Sequence, residues 1–164
     1  MYKFYILNKT ICIFNIILTL TLLGCTNLNL PKISKGEFSF RIEYEINGEI
    51  KILEDTMICE YYIQRDEGVG KSLMLKHEWL KDKNKYYVHT LCGLDDDTII
   101  QYISPSANFW MGEDVENYDI TIPNIDIVNT KTWERHRLIT SELKEFGLNI
   151  INYECDPPIK NSFQ

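Results

Sequence analysis

The chain has 164 residues, with 17 Lys and Arg against 24 Asp and Glu, a formal net charge of −7. That balance speaks against nucleic acid as a partner, which needs a basic face, and against a domain lying flat on anionic lipid, which needs polybasic segments. Five cysteines without one CxxC pair exclude a zinc ribbon on spacing and a dense disulfide framework on number.

The first 24 residues have the layout of a secretory leader. Lys3 and Lys9 give a basic start, residues 11–23 (ICIFNIILTLTLL) an apolar segment, and Gly24 a small residue at the cut. Lys9 and Asn15 shorten the usable apolar run below the roughly 20 residues of a membrane span. Leu22-Leu23-Gly24-Cys25 resembles the lipobox of bacterial lipoproteins. The resemblance implies cleavage between Gly24 and Cys25, diacylglycerol on the Cys25 sulfur, and palmitate-type acylation that moors the mature chain to the extracytoplasmic face of a bacterial membrane. Two or more acyl chains hold a protein stably where one holds it marginally. With Lys3 and Lys9 gone, 15 basic residues stand against 24 acids, a mature net charge of −9, so the lipid must do the holding. Residues 25–35 read as the lipidated cysteine and a tether, whose ten residues from Thr26 reach about 35 Å at full extension. Residues 36–164 read as a single domain.

From Gly36 the apolar period is two. Phe38, Phe40, Ile42, Tyr44 and Ile46 alternate with polar residues and predict a half-buried strand. Asn47-Gly48, followed by alternating residues 49–52, predicts a type I′ hairpin. Further strands are expected at Thr56–Ile63 and at Ser72–Lys81, the latter with Leu73, Leu75, His77 and Trp79 on one face. Between them, Gly70-Lys71-Ser72 resembles the end of a phosphate-binding loop, but the required earlier glycine is Arg65, so a turn is expected and no nucleotide. Tyr86–Leu91 and Thr98–Ser104 predict a second hairpin. Its connection carries three contiguous aspartates, Asp95 to Asp97, which lack the alternation of a calcium loop.

Residues 105–116 (PSANFWMGEDVE) place Phe109, Trp110 and Met111 beside polar residues. Two readings stand: a candidate binding loop, since recognition surfaces favour large aromatics and Met, or a segment whose aromatics tuck under one end of the core. Residues 118–128 alternate again, with Pro123 confining that strand to an edge or bulge. Residues 141–146 predict one short helix with Ser141 as N-cap and Gly147 past its end, and residues 148–154 a last strand. The fold expected is mainly β: an antiparallel β-sandwich of about seven to eight strands with one short helix near the C-terminus.

Cys59, Cys92 and Cys155 remain in the mature chain and allow at most one disulfide, the alternative being three small buried hydrophobes. The order Cys92, Trp110, Cys155, with Tyr153 two residues before the last cysteine, resembles the immunoglobulin pattern, although too little chain follows for another strand. The domain is also similar to a group of small bacterial envelope lipoproteins, through Gly36-Glu37-Phe38, Glu45-Ile46-Asn47-Gly48, Glu54-Asp55-Thr56, Met111-Gly112-Glu113, Asp156-Pro157-Pro158-Ile159 and Asn161-Ser162-Phe163. That group brings no activity with it.

The function expected is a lipid-anchored binding or structural module of the cell envelope, with the membrane and an envelope protein or small ligand as partners and no cofactor or metal. Alternatives are an inhibitor or immunity-type lipoprotein, or an envelope hydrolase using paired carboxylates such as Asp114 with Glu116 or Glu60 with Asp66. Only His77, His89 and His136 offer histidine bases, and no Gly-x-Ser-x-Gly elbow is present, so no catalytic residue is assigned.

Overall fold

The computed structural model describes residues 28–66, 70–82, 86–113, 115 and 119–163. Gly24, Cys25 and the leader lie outside that set, as do Asp114, Glu116 and Tyr118.

The hairpin at Asn47-Gly48 organises the first sheet. Asn47 and Gly48 take φ of 53° and 82°, the two left-handed positions that a type I′ turn requires. They join β1 (Lys35–Ile46) to β2 (Glu49–Asp66) in antiparallel register from Ile46↔Glu49 to Lys35↔Glu60. β2 fuses what period alone divides into two strands. Glu54 and Asp55 do not interrupt it because Glu54 faces out to Arg41 and Lys81, while Asp55 turns in and accepts backbone N–H groups. β3 (Gly70–Trp79) pairs with β2, and β8 (Leu148–Cys155) with β1, giving the order β3-β2-β1-β8.

The second sheet is the meander β4 (Val88–Gly93), β5 (Thr98–Ile103), β6 (Asn124–Asn129), β7 (Arg135–Leu138). The two four-stranded antiparallel sheets form a β-sandwich. β6 starts only after Pro123, which has no N–H to give a ladder. β7 has no counterpart in the sequence reading, since Arg135-His136-Arg137-Leu138 contains one apolar residue.

Alternate residues of the two sheets meet in one core, with Phe38, Phe40 and Ile42 from β1 and Ile100, Tyr102 and Ile125 from the second sheet among its buried members. Among the described residues, two short helices close it. α1 (Ala107–Trp110) is capped by Ser106 Oγ, which accepts from the Phe109 N–H at 3.2 Å. α2 (Thr140–Glu145) matches the expected helix but not its cap. Ile139, not Ser141, occupies the N-cap, and Glu142 supplies the hydrogen bond by accepting from the Ile139 N–H at 2.9 Å. Gly147, φ 70°, follows the helix as expected.

The segment before β1 is held to the C-terminal residues. Lys32 N–H donates to the Ser162 carbonyl, and Asn161 exchanges two hydrogen bonds with the backbone of Ile33. The chain therefore enters at the end of the sandwich where β1 begins. The β6–β7 connection lies beside the turn after β4, through Thr130 N–H to the Asp97 carbonyl at 2.7 Å, and Gly93 and Leu94 at that turn line a hollow with Asn47, at the far end of β1.

Candidate functional site

The loop between β6 and β7 is fixed by its own polar side chains. Asn129 Oδ1 accepts from the N–H groups of Lys131 and Thr132, each at 3.0 Å. The Trp133 N–H returns to the Asn129 carbonyl at 2.8 Å, and the Asn129 N–H donates to the Glu134 carbonyl at 2.9 Å. Lys131 adds an ion pair with Asp97 at 2.6 Å. This closure demands a left-handed residue at position 133, where glycine is the usual solution. The sequence places Trp133 there, with φ 60°. A left-handed backbone costs an ordinary residue about 1–2 kcal/mol, and little apolar burial offsets it, because Trp133 is 70% exposed. Trp79 and Trp110 are 3% and 0% exposed.

Trp133 stands on the rim of an open cleft of about 1220 Å³ that runs over the outer face of the second sheet and around its β4 edge. The register explains the floor. Val88 faces Ile103, and Ile99 faces Val128, in two apolar rows. Between them runs a polar row in which Thr90 pairs with Gln101. Trp133, Arg135 and the exposed Tyr86 also line the cleft. The neighbouring sheet contributes Glu54, Asp55, Lys81 and Asp82.

The inner side of β4 holds His89, stacked among aromatics with ring centroids 5.0 Å from Phe40 and 4.6 Å from Trp79. Its Nε2 is buried without a hydrogen-bond partner, while Nδ1 lies 3.9 Å from Asp82. Burial lowers the His89 pKa below its ordinary value, with Asp55 and Asp82 opposing more weakly, so the imidazole is neutral at neutral pH.

The candidate loop residues Phe109, Trp110 and Met111 are all buried, which corrects their reading as a recognition surface and leaves the tucked-under alternative. Trp110 stacks on Phe38 and donates from Nε1 to the Asp156 carbonyl at 3.3 Å. Its segment forms a helix turn whose apolar side plugs the sandwich end.

Cys59, Cys92 and Cys155 are free thiols. Burial raises all three thiol pKa values, that of Cys59 to about 12. The immunoglobulin comparison is not realised: its disulfide is absent, Trp110 sits on α1, and the Tyr153 hydroxyl meets Tyr102 across the core at 3.1 Å.

The other sequence candidates have structural employment. Gly70-Lys71-Ser72 begins β3. Asp95 accepts from the Asp97 N–H within its turn. His77 stacks on Tyr87, and His136 lies 3.6 Å from Glu142. Glu60 is paired with Lys76 at 2.8 Å, and the Asp66 side chain, like Asp114 and Glu116, is outside the described set. Among the described residues no three His, Cys, Asp or Glu side chains gather as a metal site. No family model, curated protein or solved structure matches the chain.

Proposed function

We propose that the chain is an extracytoplasmic lipoprotein, moored through acyl chains on Cys25, whose β-sandwich is a binding module with its ligand site in the cleft beside Trp133. The anchor rests on the Leu22-Leu23-Gly24-Cys25 motif and the leader before it. The binding reading rests on one observation: one of the domain's three tryptophans, Trp133, occupies a left-handed backbone position and is left mostly in water. Backbone strain at an exposed aromatic stabilises nothing within the fold, and such strain gathers at ligand sites.

The placement agrees with this reading. The tether joins the end where β1 begins, whereas the Trp133 loop is at the other end, so an anchored domain presents the loop away from its attachment. The test is native mass spectrometry of the protein purified from membranes, wild type beside Trp133→Gly. The wild type should carry a bound molecule that the variant lacks. Identical spectra, with the same adduct or none in both, would end the reading.

A further inference from the structure

The geometry points to an oligosaccharide as the cleft's ligand, bound across two or more sugar rings with the Trp133 indole stacked on one of them. This deepens the binding reading above and rests on it. A pyranose has an apolar face of C–H groups and an equatorial belt of hydroxyls. It is therefore recognised by a flat aromatic together with planar side chains that both donate and accept. The cleft supplies both kinds of group. Trp133 and Tyr86, exposed by 70% and 59%, are its aromatic surfaces, and indole and phenol each combine an apolar body with a polar handle. Its planar polar groups are Arg135, which donates, Asp82, which accepts, and Gln101, which does both and is mostly buried at 7% exposure, with Thr90 beside Gln101 in the register.

An acyl chain fits this cleft poorly. The polar Thr90–Gln101 row divides the apolar floor in two, and an open cleft leaves one side of such a chain in water, where burial contributes nothing. A sugar chain needs no such enclosure, because its hydroxyls are satisfied by solvent. The open form of the site also admits a chain that continues beyond it, which a closed pocket would not.

Fluorescence gives a direct test, since Trp79 and Trp110 are buried and Trp133 is exposed. Acrylamide quenching of the intact lipidated protein in phosphatidylcholine nanodiscs therefore reports Trp133. The probes are the tetramer of β-1,4-linked N-acetylglucosamine, cellotetraose, maltotetraose, free N-acetylglucosamine and decanoate. At least one tetramer should shield the exposed indole and give a calorimetric binding isotherm. Free N-acetylglucosamine should bind at least about tenfold more weakly, as loss of one anchoring contact implies. Trp133→Gly should lose tetramer binding, and Tyr86→Ala should weaken it by about tenfold.

No shielding and no heat with any tetramer, or equal binding by Trp133→Gly, would overturn the assignment. So would protection by decanoate in place of the sugars. Should native mass spectrometry find a Trp133-dependent adduct that is not a glycan, the binding reading stands and the glycan assignment falls.

Discussion

The rings of Phe38 and Trp110 lie parallel, 3° apart in plane and 5.6 Å between centroids, which locks β1 to the helix turn that closes the sandwich. Trp110 is fully buried, and its backbone carbonyl also accepts from the Ile159 N–H at 3.0 Å. Trp110→Ala should therefore cost about 3–5 kcal/mol of stability, the usual range for removing a buried Trp. Chemical denaturation reads this directly. A loss under 1 kcal/mol would mean that the stack is not part of the core.

Asp55 ties the backbone of β2 and of the segment after β3 to one carboxylate. It accepts from the N–H groups of Thr56, Lys81 and Asp82 at 2.7, 2.9 and 2.9 Å. Asp55→Ala strands these donors, and an unsatisfied buried donor costs about 1–3 kcal/mol. The expected loss is about 3 kcal/mol, with faster amide hydrogen exchange at Lys81 and Asp82. Unchanged exchange at those two amides would contradict the role.

His89 sets an acid-side dependence whose sign follows from its burial. The folded-state pKa is depressed below the ordinary value of 6.5. The unfolded chain therefore binds the proton that the folded chain refuses, and stability falls as pH drops below about 6.5. The carboxylates with lowered values, Glu54, Glu60 and Glu142, titrate at lower pH and leave this window to histidine. Between pH 7.5 and 5.5 the melting temperature should fall in the wild type and fall less in His89→Phe. Equal slopes would show that another group controls the window.

The thiols offer a separate check. Cys59 is buried on β2 with its pKa raised to about 12, and the thiolate is the reactive species. At pH 8 a thiol reagent should leave Cys59 untouched until the protein is unfolded. After unfolding without reductant, Cys59, Cys92 and Cys155 should all alkylate. A mass short by two additions would reveal a disulfide.

The anchor is tested by growth with labelled fatty acid. Wild-type chain should carry label and lack residues 1–24, whereas Cys25→Ala should remain unlabelled and uncleaved. Label that survives the substitution would place the lipid elsewhere.

What sequence could disclose was set by periodicity and turn chemistry. The β1–β2 hairpin is legible because alternation and Asn47-Gly48 point the same way. Trp133 was not, for a physical reason. Its loop is built from Asn129 and two threonines without glycine or proline, and it leads into a strand with one apolar residue. The residue that ought to announce the turn is itself replaced by tryptophan. Trp110 misled for the opposite reason: its polar neighbours Ser106 and Asn108 suggest a loop, yet Ser106 is a helix cap and the aromatics beyond it turn inward. Local composition describes a segment's solvent preference on average, while burial of a single indole depends on which partner, here Phe38, the fold brings to it.

The central claim is that Trp133 serves a ligand and not the fold. Thermal unfolding of wild type beside Trp133→Gly tests it most directly. Glycine relieves the left-handed strain, so the variant should be more stable by about 1 kcal/mol, a rise of about 3 °C for a domain of this size. A fall of about 5 °C or more would show that the indole holds the structure together, and the claim would be wrong.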